Sequence, residues 1–544
     1  MASSGPDLLL HNAQVYTVDE RTPTAGAFVV RNGRFVAVGS TPDMTDTHPD
    51  LPRIDVGGRT VIPGLIDSHA HLEKLGLSLR RADLTGTPSP AAVVDRLLNF
   101  EANRNLSPET WLRGHGWDQN EWSPPRFPTR DRLDEAFPER PVWLIRTDIH
   151  AGWANTAALE ATVGLDRLRN MDAPNGGRIH RDASGCPTGI LIDAAMGLVA
   201  DHIPPPTASE RDRALTAALE HTARHGITGL HDAGVDHSSI RRFQRRIEED
   251  RFPLRVYAMI NGRGDTFDHF CEKGPLHHPS GRLNVDSVKF FADGALGSRG
   301  AALLDDYADD PGNHGLLLHD EEGFRHNVLA AIECGFQVNT HAIGDRATRM
   351  VLDAYEDARR QSSRPIRRPR IEHAQVVHPK DRARFGDLGV IASVQPGFAL
   401  SDEPWVPDRL GPSRLTHAYT WKSLHDAGAP LAFGSDAPVD PVAPLRGFFA
   451  AVAPPNFGEQ PNVPRHPPEQ VNRATALHAY TLGAAYAAFQ EDEIGSITPG
   501  KRADFAVLSD NIMTVPAPCL RDVEVVATYV DGSPIYTQAD AFQV

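Results

Sequence analysis

The sequence predicts a closed (β/α)8 barrel that carries a small β-sandwich domain built from both chain ends. Three observations predict it. Between about residues 60 and 440, eight apolar strand-like runs alternate with amphipathic helical stretches. The two ends share a strand-and-turn texture that the middle lacks. One spacer, after the first run, is about 150 residues long and has motifs of its own. Repeated strand-then-helix order with helix-length spacers builds a parallel sheet, and eight repeats close it into a barrel.

The elements follow in order. Residues 1–60 read as short strands, with Arg31-Asn32-Gly33-Arg34 as a hairpin turn. Residues 495–544 read the same way, with Asp531-Gly532 as the turn. Together they predict one small β-sandwich domain. The barrel, 61–494, takes its strands from runs 61–67, 227–232, 254–260, 285–292, 336–340, 370–373, 390–394 and 430–434. Helical periodicity marks 210–225, 322–335, 346–360 and 379–388 between them. The long spacer, 75–210, exceeds what a helix and its loops need. Because it follows a barrel strand's C-terminal end, it reads as a lid or substrate-pocket subdomain. A proline-rich loop lies around 454–468.

Composition excludes several classes. Of 544 residues, 40% are hydrophobic and 23% charged, as in an ordinary globular chain. The net charge is −16, from 55 basic and 71 acidic residues, which argues against nucleic acid or an anionic membrane as partner. No apolar run is long enough to span a bilayer, and the first residues lack a signal-peptide pattern, so a cytoplasmic location is expected. The four cysteines form no C-x-x-C, which predicts neither a disulfide framework nor a thiolate zinc site and suits a reducing compartment. Histidine is abundant, with 25 residues, so position has to sort ligands from incidental ones.

Barrel enzymes place their chemistry at the C-terminal ends of strands. The first strand ends in His69-Ala70-His71, whose i, i+2 spacing turns both imidazoles to one face. The fourth contains Lys289, the fifth ends in His341, the sixth in His373, and the eighth in Asp436. Each alone has an ordinary explanation: a salt-bridging lysine, a satisfied core histidine, a capping aspartate. Six such residues at strand ends around one rim point to a metal site. No Gly-x-Ser-x-Gly elbow and no Gly-x-Gly-x-x-Gly turn is present, against a serine hydrolase and a dinucleotide enzyme.

This order of His-x-His, Lys, His, His and Asp resembles the metal-dependent amidohydrolase superfamily. The stretches Gly116-Trp117-Asp118-Gln119, Arg146 to Asn155, and Lys289 to Ser298 resemble the branch containing N-substituted formamide deformylases. The resemblance implies a binuclear centre with two divalent ions; the donor types suit zinc, with manganese, iron and nickel as alternatives. His69, His71 and Asp436 would hold the more buried ion, and His341 and His373 the more exposed one. Lys289 would bridge them after N-carboxylation, because an ammonium cannot ligate a cation; a neutral lysine beside a single ion is the competing state. Hydroxide formed at the metal would attack a carbonyl, with Asp436 as general base and then acid.

Around this centre, Trp117, Asp118, Trp122, Arg146, Asp148, His150 and Trp153 of the insertion either line a substrate pocket or pack the insertion's own core. Asp293, Arg299 and His231 are expected to support the ligands from behind. The expected activity is hydrolysis of a small-molecule amide or formamide at a non-peptide carbon–nitrogen bond. The alternatives are a deaminase or cyclic-amide hydrolase on the same scaffold, against which Lys289 counts, and a metal-containing barrel that only binds a ligand. A homodimer through the β-domain edges is the expected assembly.

Overall fold

The computed structural model describes residues 5–104, 110–147, 150–174, 177–455, 469–539 and 541–542. The chain divides into two compact units, Met1–Lys74 with Ala218–Val544, and Leu75–Ala217.

The larger unit holds the barrel and the sandwich. Eight parallel strands follow one another around the barrel: β1 (Leu65–Ala70), β2 (Ile227–Val235), β3 (Arg255–Asn261), β4 (Leu283–Phe291), β5 (Gln337–Ala342), β6 (Arg370–His373), β7 (Ile391–Val394) and β8 (Leu431–Phe433). The ring comes together where Ala70 bridges Ala437 in parallel and the His71 N–H donates to the Ala437 carbonyl at 2.8 Å. Helices α1 (His237–Glu248), α2 (Asp265–Lys273), α3 (Glu321–Glu333), α4 (Asp345–Gln361) and α5 (Pro379–Leu388) occupy the spacers. Their ends are written in the sequence. Asp236 and Asp320 cap α1 and α3 by accepting backbone N–H groups, and α5 starts at Pro379 and stops at Gly389 in the left-handed region.

The first apolar run proved to be two strands. Thr60–Pro63 pairs with Phe505–Leu508 in the sandwich, and only Leu65–Ala70 enters the barrel. Gly64 makes the break: a Cβ there would lie 2.1 Å from the Thr228 hydroxyl, so only glycine lets the chain pass this close to β2. The sandwich has one sheet of four strands and one of six, drawn from both ends of the chain. Both turn signals hold, with Asn32-Gly33 and Asp531-Gly532 in the left-handed conformation that a tight hairpin demands. Buried Arg255 at the start of β3 ties barrel to sandwich, pairing with Asp504 at 2.6 Å and Asp531 at 2.5 Å.

The smaller unit has its own six-stranded mixed sheet, in the order Gly177–Arg181, Pro187–Asp193, Ala151–Ala154, Val142–Arg146, Leu112–Trp117 and Ala82–Asp83. Helix Pro90–Arg104 buries Val93 and Leu97 in a core shared with Leu112 and Leu144.

Two further points concern the expectations. Cys271 and Cys334 are joined in a disulfide, with Cα atoms 5.1 Å apart, whereas the cysteine spacing predicted none. A separation of 63 residues carries no motif; the packing of α2 beside the end of α3 brings them together. No helix among the described residues is long and apolar enough to cross a membrane. Residues 456–468 of the proline-rich loop lie outside the described residues.

Candidate metal centre

The barrel brings all six predicted ligands into one contiguous cluster at the C-terminal ends of its strands. Asp436 Oδ1 lies 3.2 Å from His71 Nε2 and 3.5 Å from His69 Nε2. The ligand atoms of these three residues fall within 4.8 Å of one another. Lys289 Nζ stands 3.2 Å from His69 Nε2. The His373 ring centroid is 4.9 Å from that of His69 and 4.5 Å from that of His341.

Backbone geometry aims these groups. His373 and Asp436 close β6 and β8 in the left-handed region, with φ of 75° and 60°. Such a conformation costs a non-glycine residue about 1–3 kcal/mol, so the surrounding structure holds it in place. Gly434 lets β8 close on β1; a Cβ there would sit 2.6 Å from the His69 nitrogen. Buried Asp67 staples the same seam, accepting from Ser435 Oγ at 2.6 Å, the Ser435 N–H at 2.9 Å and the His69 N–H at 3.2 Å. Burial pushes its carboxyl up to about 6, against the pull of those donors.

The imidazoles are set by what lies behind them. His69 Nδ1 meets Glu372 Oε2 at 2.5 Å, and His71 Nδ1 meets the Ala233 carbonyl at 2.7 Å. Both partners are acceptors, so each Nδ1 donates to its partner and each Nε2 points toward Asp436. His373 Nδ1 meets Gln395 Oε1 at 2.7 Å in the same way. Burial holds His69 and His373 well below the usual histidine range, in the neutral form a metal requires. Burial alone would raise Asp436, but the imidazoles of His71, His69 and His373 around it outweigh burial and hold the carboxyl below its usual range. Burial pulls Lys289 down to about 8. Two imidazole nitrogens and a carboxylate converging on one point form a donor set that fits a divalent ion.

Sequence reasoning missed the supports. Glu372 and Arg370 are fully buried in the barrel, with Arg370 Nε 2.8 Å from Glu372 Oε1. Arg370 also donates to the Ser68 carbonyl at 2.7 Å and to Ser393 Oγ at 2.9 Å. The available signal was an arginine and a glutamate inside a strand otherwise fit for a barrel core, and a polar Gln395 at the end of β7. Of the expected supports, Asp293 stands 3.4 Å from His341 Nε2 while accepting N–H groups of Ala302, Ile343 and Gly344. His231 Nδ1 lies 2.9 Å from Arg370 Nη1, one residue further back. Arg299 turns away to Asp309, at 2.8 Å and 3.1 Å.

The insertion residues find their places within their own unit. Trp117, Trp122 and Trp153 are buried against one another, with centroids 5.8–6.4 Å apart. Their indole N–H groups donate to the carbonyls of Leu144, Thr87 and Thr129. Of the two readings open for them, the structure supports core packing. Asp118 caps the short helix Gln119–Glu121, Arg146 lies 3.3 Å from Gln119 Oε1, and exposed His150 pairs with Asp193 at 2.7 Å. Asp148 lies outside the described residues.

A parallel (β/α)8 barrel with a His-x-His, lysine, histidine and aspartate cluster at its mouth defines a metal-dependent hydrolase. Comparison places it further. Residues 53–536 match the amidohydrolase family, and the chain belongs to that family. It is 36% identical to Protein LONG AFTER FAR-RED 3 of Arabidopsis thaliana, over 97% of this chain and 91% of the relative. It is 33% identical to N-substituted formamide deformylase of Arthrobacter pascens, over 97% of each. The crystal structure of an uncharacterized metal-dependent hydrolase from Pyrococcus horikoshii OT3 superposes with a TM-score of 0.76 at 28% identity, covering 94% of this chain and 99% of that one.

Proposed function

We propose that this chain hydrolyses a carbon–nitrogen bond other than a peptide bond, in an amide or formamide. The observation that carries the reading is the junction at Asp436. One carboxylate, held ionised, stands within 3.5 Å of two imidazoles whose free nitrogens face it, at the barrel mouth. The likeness to a formamide deformylase over nearly the full length of both chains supports an amide rather than another hydrolysable bond.

The reading includes two divalent ions, zinc by the donor types, and a carboxylated Lys289. As an ammonium, Lys289 would place a positive charge 3.2 Å from His69 Nε2, where a cation must bind. As a carbamate it would instead supply the negative charge that a cation there needs. When bound, the ions acidify a water and polarise the carbonyl. The chain's own residues do the rest. Asp436 takes a proton from the attacking water and passes it to the leaving nitrogen. Glu372 and the Ala233 carbonyl keep His69 and His71 in the ligating tautomer throughout.

The test is a hydrolysis screen of N-aryl and N-acyl amides with zinc-loaded protein beside its Asp436→Asn variant. The reading expects release of amine and carboxylate that falls at least a hundredfold in the variant, as loss of a general base requires. Turnover of no amide, or full activity in the variant, would overturn it.

A further inference from the structure

The aromatic residues expected to greet the substrate are buried in the insertion, which leaves open what the barrel itself offers an apolar substituent. A strand alternates its faces, so Lys289 and Phe291 of β4 project to the same side and Phe290 to the other. Phe290 packs outward on Phe324 of α3, with centroids 6.2 Å apart, and is buried. Phe291 is 39% exposed, although its ring centroid lies only 4.8 Å from Lys289 Nζ and 5.5 Å from the His341 ring.

It is not alone. The chain returns past β4, where the Leu318 N–H donates to the Ala292 carbonyl at 2.9 Å and Leu317 bridges Asp293. Leu316 and Leu318 of that segment are 65% and 50% exposed. Val439, three residues after Asp436, is 70% exposed. Among the described residues six large hydrophobics are exposed, and four of them stand just beyond the ligands of β4 and β8. Scattered apolar exposure is ordinary; concentration at the rim of a polar centre marks a contact surface.

We propose that Phe291 is a specificity-determining residue, its ring forming beside Lys289 and His341 an apolar wall for an aryl or bulky alkyl substituent of the substrate. The proposal rests on the reading of the cluster as a hydrolytic metal centre. It assigns recognition of that substituent to β4, while the six ligand residues act on the bond that breaks. Aromatic lining beside a few polar groups is how small-molecule sites gain both affinity and orientation.

The experiment compares two probes that share a metal-binding head, benzohydroxamate and acetohydroxamate. Their affinities for the zinc-loaded full chain are measured by calorimetry. In the wild type, benzohydroxamate is expected to bind at least tenfold more tightly. In Phe291→Ala that ratio is expected to fall below threefold while acetohydroxamate affinity stays unchanged, and Phe291→Leu is expected to recover part of the ratio. A wild type without aryl preference, a ratio untouched by these substitutions, or an equal loss for both probes would overturn the proposal. If the protein hydrolyses no amide, the function proposed above fails, while the affinity ratio still decides the role of Phe291.

Discussion

Replacing Glu372 by glutamine should weaken metal binding and folding by separate routes that can be told apart. The side chain keeps its shape, but its charge goes. With its carbonyl toward His69 Nδ1, now 2.5 Å from Oε2, the new amide group faces Arg370 Nε, now 2.8 Å from Oε1, donor against donor. With the amide reversed, His69 must move its proton to Nε2 and cannot ligate. Losing such a partner costs a metal ligand about 10–100-fold in affinity, or roughly 1.4–2.7 kcal/mol. Arg370 meanwhile loses its buried anion, which costs about 3–5 kcal/mol of stability. Zinc titration against a competing chelator reads the first effect, and urea unfolding of the metal-free protein reads the second. In the double variant Glu372→Gln/Arg370→Met the stability should return and the affinity should recover in part, because the glutamine carbonyl can then face His69 Nδ1 with no donor opposing its amide group. A zinc affinity within twofold of wild type in folded Glu372→Gln would refute the reasoning. An affinity as low in the double variant as in the single one would show that the lost negative charge, and not the His69 tautomer, was responsible.

Three other outcomes follow from the structure. Asp67 holds its proton up to about pH 6 when folded and to about 3.8 when unfolded, so its contribution is complete below pH 3.8 and lost as pH rises through 6. It amounts to about 3 kcal/mol, and Asp67→Asn should flatten the pH dependence of unfolding between pH 4 and 6 by that amount; identical slopes would contradict it. Gly434→Ala puts a Cβ 2.6 Å from the His69 nitrogen and 2.8 Å from Asp67 Oδ1, which should cost about 1–3 kcal/mol and displace Asp436, lowering activity at least tenfold; a silent substitution would count against the close seam. The Cys271–Cys334 bond closes a loop of 63 residues that contains β4, so Cys271→Ser should lower stability by about 4 kcal/mol in oxidising buffer and lose its response to reductant; a wild-type unfolding midpoint indifferent to reductant would oppose this.

The barrel was legible because strand and helix periods alternate through the chain, and the side-chain cluster at its mouth because strand ends mark the reactive rim. The hairpin turns followed from the Asn32-Gly33 and Asp531-Gly532 pairs, and the helices from their apolar period. What escaped was whatever depends on distance across the fold. Glu372 serves a histidine 303 residues away, and nothing local to it marks that role. Gly64 splits an apolar run whose continuity had suggested one strand, for a reason that lies on β2. Trp117, Trp122 and Trp153 have the same sequence pattern whether they wall a pocket or fill a core, and only packing separates the two. Cys271 and Cys334 meet through the arrangement of α2 and α3, which no spacing encodes.

The central claim is that His69, His71, Lys289, His341, His373 and Asp436 together hold a pair of divalent ions. Anomalous diffraction at the zinc edge from crystals grown with zinc and bicarbonate tests it most directly. The account predicts two peaks about 3.5–4 Å apart at the barrel mouth, bridged by additional density on Lys289 Nζ. A centre without anomalous signal, or one peak beside an unmodified lysine, would contradict it.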